Sequence, residues 1–137
     1  LALCSTKLRD MPKALAEMRE AVRILPNRAL YRVNLALYAA YATDFTTAQA
    51  EADVARTMNP LGLLPLAFAQ AGQDQLDAAA GTYRELAKVS PLGASFAASG
   101  LADLAVYQGR YGEAVRILRA GATADVEAGS EDRAAAK

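Results

Sequence analysis

Histidine and tryptophan are absent from this chain of 137 residues, and cysteine occurs once, at Cys4. Without histidine there is no Ser-His-Asp or Cys-His arrangement, and no side chain that ordinarily exchanges protons near neutral pH. A metal site would have to be built from one thiol and carboxylates, which are not clustered for that purpose. One cysteine cannot close an intrachain disulfide, so nothing points to a stapled secreted scaffold, and Cys4 reads as a small buried hydrophobe of a first helix. Net charge is missing too. Fifteen basic residues balance fifteen acidic ones, which leaves no electrostatic footprint for a phosphate backbone or an anionic lipid surface. No nucleic-acid partner is expected. The longest apolar run, Leu61 to Ala69, is too short to span a bilayer and contains Pro65. The pairs Gly93 and Gly100, or Gly109 and Gly112, lack phosphate-binding spacing, and no Gly-Lys-Ser or Gly-Lys-Thr occurs. From Leu1 onward there is no charged segment leading into an apolar one and a cleavage site, and the expected setting is cytoplasmic. These absences point away from an enzyme and from any cofactor or metal.

What is present is alanine, in a helical pattern. From Ala29 to Ala42 apolar residues go almost all round the helix, interrupted by Arg32 and Asn34, as in a helix covered on more than one side. Thr43-Asp44-Phe45 breaks it, and Ala48, Ala52 and Ala55 line one face of a second helix that Asn59-Pro60 ends. This unit recurs. Pro26 and Pro60 are 34 residues apart, and the same offset carries Leu1 onto Leu35, Ala2 onto Ala36, Asp10 onto Asp44, Ala14 onto Ala48 and Ala21 onto Ala55. Pro91 closes a third, shorter unit, in which Ala79, Tyr83 and Leu86 take the places of Ala48, Ala52 and Ala55. A fourth unit aligns Leu101-Ala102 with Leu35-Ala36, Gly109-Arg110-Tyr111 with Thr43-Asp44-Phe45, and Ala114 with Ala48.

A small residue after Leu in the first helix, a Gly-Asp-Tyr-like turn, alanine at two places in the second helix and a closing proline resemble the tetratricopeptide repeat. The resemblance covers about nine-tenths of the chain, as repeats over 1–26, 27–60, 61–91 and 92–126, with 127–137 as a linker and the start of a further helix. It departs from the family where the early Trp is replaced by Arg32, Leu63 and Ala98, and the first-helix Tyr by Ala39, Gln70 and Ala105. The resemblance implies an all-α fold, a right-handed α-solenoid of antiparallel helix pairs, and a protein- or peptide-binding scaffold. In that family the inner face is lined by residues one turn apart on each first helix. The matching places here are Leu3, Val33 with Leu37, Leu64 with Phe68, and Ser99 with Asp103, with Tyr41 and Tyr107 late in the same register. The Lys, Asn and Arg that clamp an acidic C-terminal tail in some members are missing there, which favours an apolar or amphipathic segment as the partner. The alternatives are that these residues are ordinary core, and that the array is the regulatory arm of a larger signalling protein such as a bacterial serine/threonine kinase or a transcription regulator.

The physical basis of the pattern does not depend on the family. Two antiparallel helices approach within about 8–10 Å only where the side chains at the crossing are small. Ala36 facing Ala48, and Ala102 facing Ala114, are expected to supply such crossings, with Leu35, Leu101, Phe45 and Tyr111 filling the space beside them. Helices are predicted near 1–8, 12–25, 29–42, 46–58, 64–72, 75–89, 94–108 and 112–125, with Pro26, Pro60 and Pro91 as stops and Pro65 shortening the fifth. Residues 121–129 are expected to form a loop or link, and Asp125, Glu127, Glu131 and Asp132 a loose acidic group. Both ends look cut from something longer. Leu1, Leu3 and Leu8 at one end and Val115 and Leu118 near the other are expected to lack cover and to promote self-association.

Overall fold

The computed structural model describes residues 10–137. Cys4, the helix predicted over 1–8, Leu3 as a groove position, and the exposed ends Leu1 and Leu8 lie outside the described residues. Within them the chain is all helical, with no strand: α1 (Met11–Ile24), α2 (Ala29–Tyr41), α3 (Phe45–Met58), a 3-10 turn (Pro60–Gly62), α4 (Leu63–Gly72), α5 (Leu76–Ala87), α6 (Pro91–Tyr107), α7 (Tyr111–Glu127) and α8 (Glu131–Ala135). It divides into two compact units between Gln75 and Leu76, inside the repeat expected over 61–91.

In the first unit, α1 buries Ala14, Leu15, Met18 and Val22, spaced one to two turns apart on one face. Leu15, Met18 and Val22 share a core with Leu35, Ala39 and Ala40 of α2, Ala48 of α3 and Ala69 of α4. Ala48, Ala52 and Ala55 are all 0 % exposed, which is what lets α3 lie close against its neighbours. The crossing differs in one respect from expectation. Ala36 is grouped with Ala52 and Leu66 rather than with Ala48, one turn further along α3. Phe45 does fill space beside the crossing: a Cβ on Gly72 would collide with its ring.

In the second unit, α6 packs on both α5 and α7. Ala102 and Ala114 do fall in one core group, with Ala105. Tyr83 of α5 is 2 % exposed, its ring against Gly100, where a Cβ would strike it. Tyr111, expected beside the crossing, is instead 65 % exposed. It is the first residue of α7, whereas α8 is bound through Asp125, near the other end of that helix, and does not cover it.

The turns explain most of the remaining departures. Four helices end with a residue at positive φ: Thr43 (61°), Asp74 (62°), Gly109 (74°) and Gly129 (69°). In each case the next residue's N–H reaches back five positions, from Asp44 to Ala39 O (2.9 Å), Gln75 to Gln70 O (2.9 Å), Arg110 to Ala105 O (2.7 Å) and Ser130 to Asp125 O (2.7 Å). This closure satisfies carbonyls that a helix end otherwise leaves unpaired. Capping by side chain opens the following elements: Asp10 accepts from Lys13 N–H (3.1 Å), Asp44 from Thr47 N–H (3.1 Å) and Ser90 from Gly93 N–H (3.0 Å). Because Ser90 caps and Pro91 takes the first helical position, where its missing N–H costs nothing, α6 begins at 91 and not near 94. Pro91 starts a helix rather than stopping one. Residues 121–127 are not a loop either. They continue α7, whose alanines favour helix, until Gly129 provides the turn.

Candidate functional site

The candidate groove residues fall in both units. In the first unit α2 and α4 are in contact, so residues late in α2 and in the middle of α4 can meet. Tyr41 and Phe68 do, edge to face, with ring centroids 5.9 Å apart and planes at 68°, a favoured aromatic arrangement. Tyr41 is 54 % exposed while Phe68 is half-buried and also packs on the core. Leu37 and Leu64 are half-buried. Val33 is 7 % exposed, and its side chain offers a partner no surface. Tyr38 is partly buried against the first-unit cluster. Four of the five first-unit candidates therefore have accessible apolar surface, and two of them touch.

In the second unit, Ser99, Asp103 and Tyr107 lie one turn apart on α6. Ser99 is half-buried and its hydroxyl donates back to Ser95 O at 3.4 Å. Tyr107 stands 73 % exposed. Asp103 is exposed, but partial removal of water from its carboxylate pushes its pKa up from the ordinary value. Val115, expected on an uncovered face, is 48 % exposed, whereas Leu118 packs partly on the Ala102–Ala114 core.

Several polar groups were not foreseen. Arg32 donates from Nε to Pro26 O (2.8 Å) and from Nη1 to Glu51 (2.7 Å), with both side chains mostly buried. It thereby ties the turn before α2 to α3. Asp44 accepts from Arg19 at 3.0 Å as well as capping α3. Thr47, through its hydroxyl and its N–H, and then Arg19 hold the Asp44 carboxyl below its usual range. On α1, Arg23 donates to Glu20 through two contacts of 2.7 Å on a wet surface. Asp125 belongs to no loose acidic group: it is 3 % exposed and bound by Ser95, Lys137 and Arg133. A cleft of about 350 Å³ lies within the second unit, lined by Asp77, Arg84, Leu104, Arg110 and Glu113 among others. It opens beside Leu101 and Leu104, on a different side of α6 from Ser99 and Asp103 at 100° per residue.

Among the described residues no group of three or more His, Cys, Asp or Glu is placed to hold a metal, and no helix is long and apolar enough to cross a membrane. The chain matches no protein-family model and no curated protein sequence.

Proposed function

We propose that this chain is a binding module of tetratricopeptide type, a right-handed solenoid of helix pairs that holds an apolar or amphipathic segment of another protein against its first helices. The reading rests on the Tyr41–Phe68 pair. Two large rings meet at the surface of the first unit, one of them more than half exposed, with Leu37 and Leu64 half-buried on the same two helices. Aromatic anchors flanked by aliphatic surface are what an amphipathic helix laid in a groove requires. The recurrence of one turn geometry after α2, α4 and α6, at Thr43, Asp74 and Gly109, supports a repeat origin, as do the fully buried alanines of α3. Fold leaves the partner open, so the proposal is tested at the residues. Tyr41→Ala should leave the helical content and melting of the protein nearly unchanged, because the side chain is largely solvated. It should weaken capture of amphipathic peptides from a display library about tenfold or more, the loss typical of an interface anchor. Preferential capture of acidic C-terminal tails, or capture indifferent to Tyr41, would refute the apolar groove. A regulatory arm of a larger signalling protein is compatible with the same surface.

A further inference from the structure

The second unit contains a built ammonium site. Lys137 inserts its side chain, 2 % exposed, between α6 and α7. Its Nζ donates to Ser95 Oγ (2.8 Å), to Asp125 Oδ2 and to the Arg133 carbonyl (3.3 Å). An alkylammonium has three N–H donors and no acceptor, and here each has an oxygen. The acceptors are themselves fixed. Ser95 Oγ donates to Asp125 Oδ2 (2.9 Å), and Arg133 Nε approaches Asp125 Oδ1 at 3.5 Å. Ser95 and Asp125 are 5 % and 3 % exposed, and an unpaired carboxylate at such depth would be costly. The route of the lysine stem depends on Gly121. A Cβ there would come within 2.8 Å of Ala98 Cβ, 3.0 Å of Lys137 Cε and 3.2 Å of Lys137 Cδ. Alongside lies a cleft of about 340 Å³, lined by Pro91, Ala94, Ser95, Gly121, Ala124 and Asp125 among others, which leads from solvent to the same serine and carboxylate. By contrast α8 buries no residue of its own; polar contacts from Arg133 and Lys137 hold it.

We propose that Ser95, Asp125 and the Arg133 carbonyl form a receptor for a primary alkylammonium. Lys137 fills this seat in cis, and a free amine or the lysine side chain of another chain can take it when Lys137 withdraws. The chemistry is that of one –NH3+ group on a narrow unbranched stem. A guanidinium or a quaternary ammonium would not match three convergent acceptors behind the Gly121 gap.

The test is chemical rescue in the full chain. Lys137→Ala should lower the melting temperature by leaving Asp125 buried without its main partner. n-Butylammonium chloride should restore most of that loss in a saturable way, while tetramethylammonium chloride at the same ionic strength should not. Nα-acetyl-lysine N-methylamide is the second arm. Rescue by butylammonium alone assigns the seat to free amines, and rescue by both admits a lysine carried on a peptide. Asp125→Asn combined with Lys137→Ala should abolish either rescue. If Lys137→Ala does not fold, amide hydrogen exchange of the wild-type protein replaces it. Butylammonium, and not tetramethylammonium, should then reduce protection at Ala134 and Lys137, whose amides close α8, by releasing Lys137. Rescue by neither amine, equal rescue by tetramethylammonium, rescue that survives Asp125→Asn, or α8 exchange unmoved by butylammonium overturns the proposal.

Discussion

Thr43 and Gly109 occupy the same turn in different units, and exchanging their chemistry should move stability in opposite directions. Thr43 has φ 61°. A left-handed conformation costs an L-residue roughly 1–2 kcal/mol, and a β-branched side chain belongs at the upper end. Thr43→Gly removes that strain but adds unfolded-chain entropy, worth about 0.5–1 kcal/mol. The threonine hydroxyl bonds only its neighbour's carbonyl, Ala42 O, at 2.7 Å on an exposed surface, and its loss should count for little. The net expectation is a gain of about 0.5–1 kcal/mol. Gly109, at φ 74°, has nothing within 4 Å of a Cβ built on it. Gly109→Thr should therefore cost about the same amount, the backbone strain less the unfolded-chain entropy that the substitution removes, since no neighbour is struck. For a chain of this size the shifts correspond to roughly 2–5 °C in melting temperature. Urea denaturation followed by circular dichroism would read both variants, with the midpoint moving and the slope constant. Loss of stability in Thr43→Gly, or no change in Gly109→Thr, would refute the claim that these turns share one strained geometry.

Four further outcomes are expected. Arg32→Lys should destabilise the first unit by about 1–3 kcal/mol, because an ammonium cannot span Pro26 O and Glu51 as the guanidinium does; a urea midpoint equal to wild type would contradict it. Gly100→Ala should cost about 1–3 kcal/mol by driving a methyl into the buried Tyr83 ring, and Tyr83→Leu in the same chain should recover part of the loss in the same denaturation assay. For Asp125, burial alone would raise the pKa, but hydrogen bonds from Lys137 and Ser95, the Lys137 charge and Arg133 outweigh it and hold the carboxyl below its ordinary range. A depressed folded pKa stabilises fully above the unfolded value of about 3.9 and less as pH falls through the folded one, so the stability difference between wild type and Asp125→Asn should be constant near neutrality and narrow below about pH 4. Asp103 has the opposite sign: its raised pKa opposes folding once pH exceeds the folded value and has no effect below the unfolded one. Asp103→Asn should therefore stabilise at neutral pH, with the gain disappearing on acidification through the carboxylate range, as followed by thermal melts across pH.

The helices were legible because small apolar residues recur at helical spacing, and the buried Ala48 returns as Ala14, Ala79 and Ala114 when the chain is aligned on itself. Less could be read where one residue has two physical uses. Pro91 is as good a helix start as a stop, and the choice was made by Ser90, whose side chain reaches the Gly93 N–H. Gly109 and Gly129 carried their turn signal in the sequence. Asp74 belongs to a residue type that visits this region, whereas Thr43 adopts the same geometry because tertiary packing of the flanking helices overrides a local preference of about 1–2 kcal/mol. The acidic residues near the chain's end suggested a solvated link, because nothing in their spacing shows that a lysine twelve residues beyond Asp125 folds back onto it.

The candidate groove was harder to read than the fold for a related reason. A residue one turn from a core position can face either the core or the solvent edge, and helical spacing alone does not separate them. Val33 and Leu37 show this: they share a register, yet Val33 is buried and Leu37 is half-accessible. Accessibility within that register rises toward the end of α2, from Val33 through Leu37 to Tyr41 at 54 %. On the proposed reading, a partner would meet the end of the helix first, where Tyr41 stands against Phe68. Under the same reading Arg32 explains how the unit holds together without the family's Trp. A large aromatic would fix the helix pair by filling volume, whereas Arg32 fixes it by two hydrogen bonds to groups that otherwise need partners, Pro26 O and Glu51.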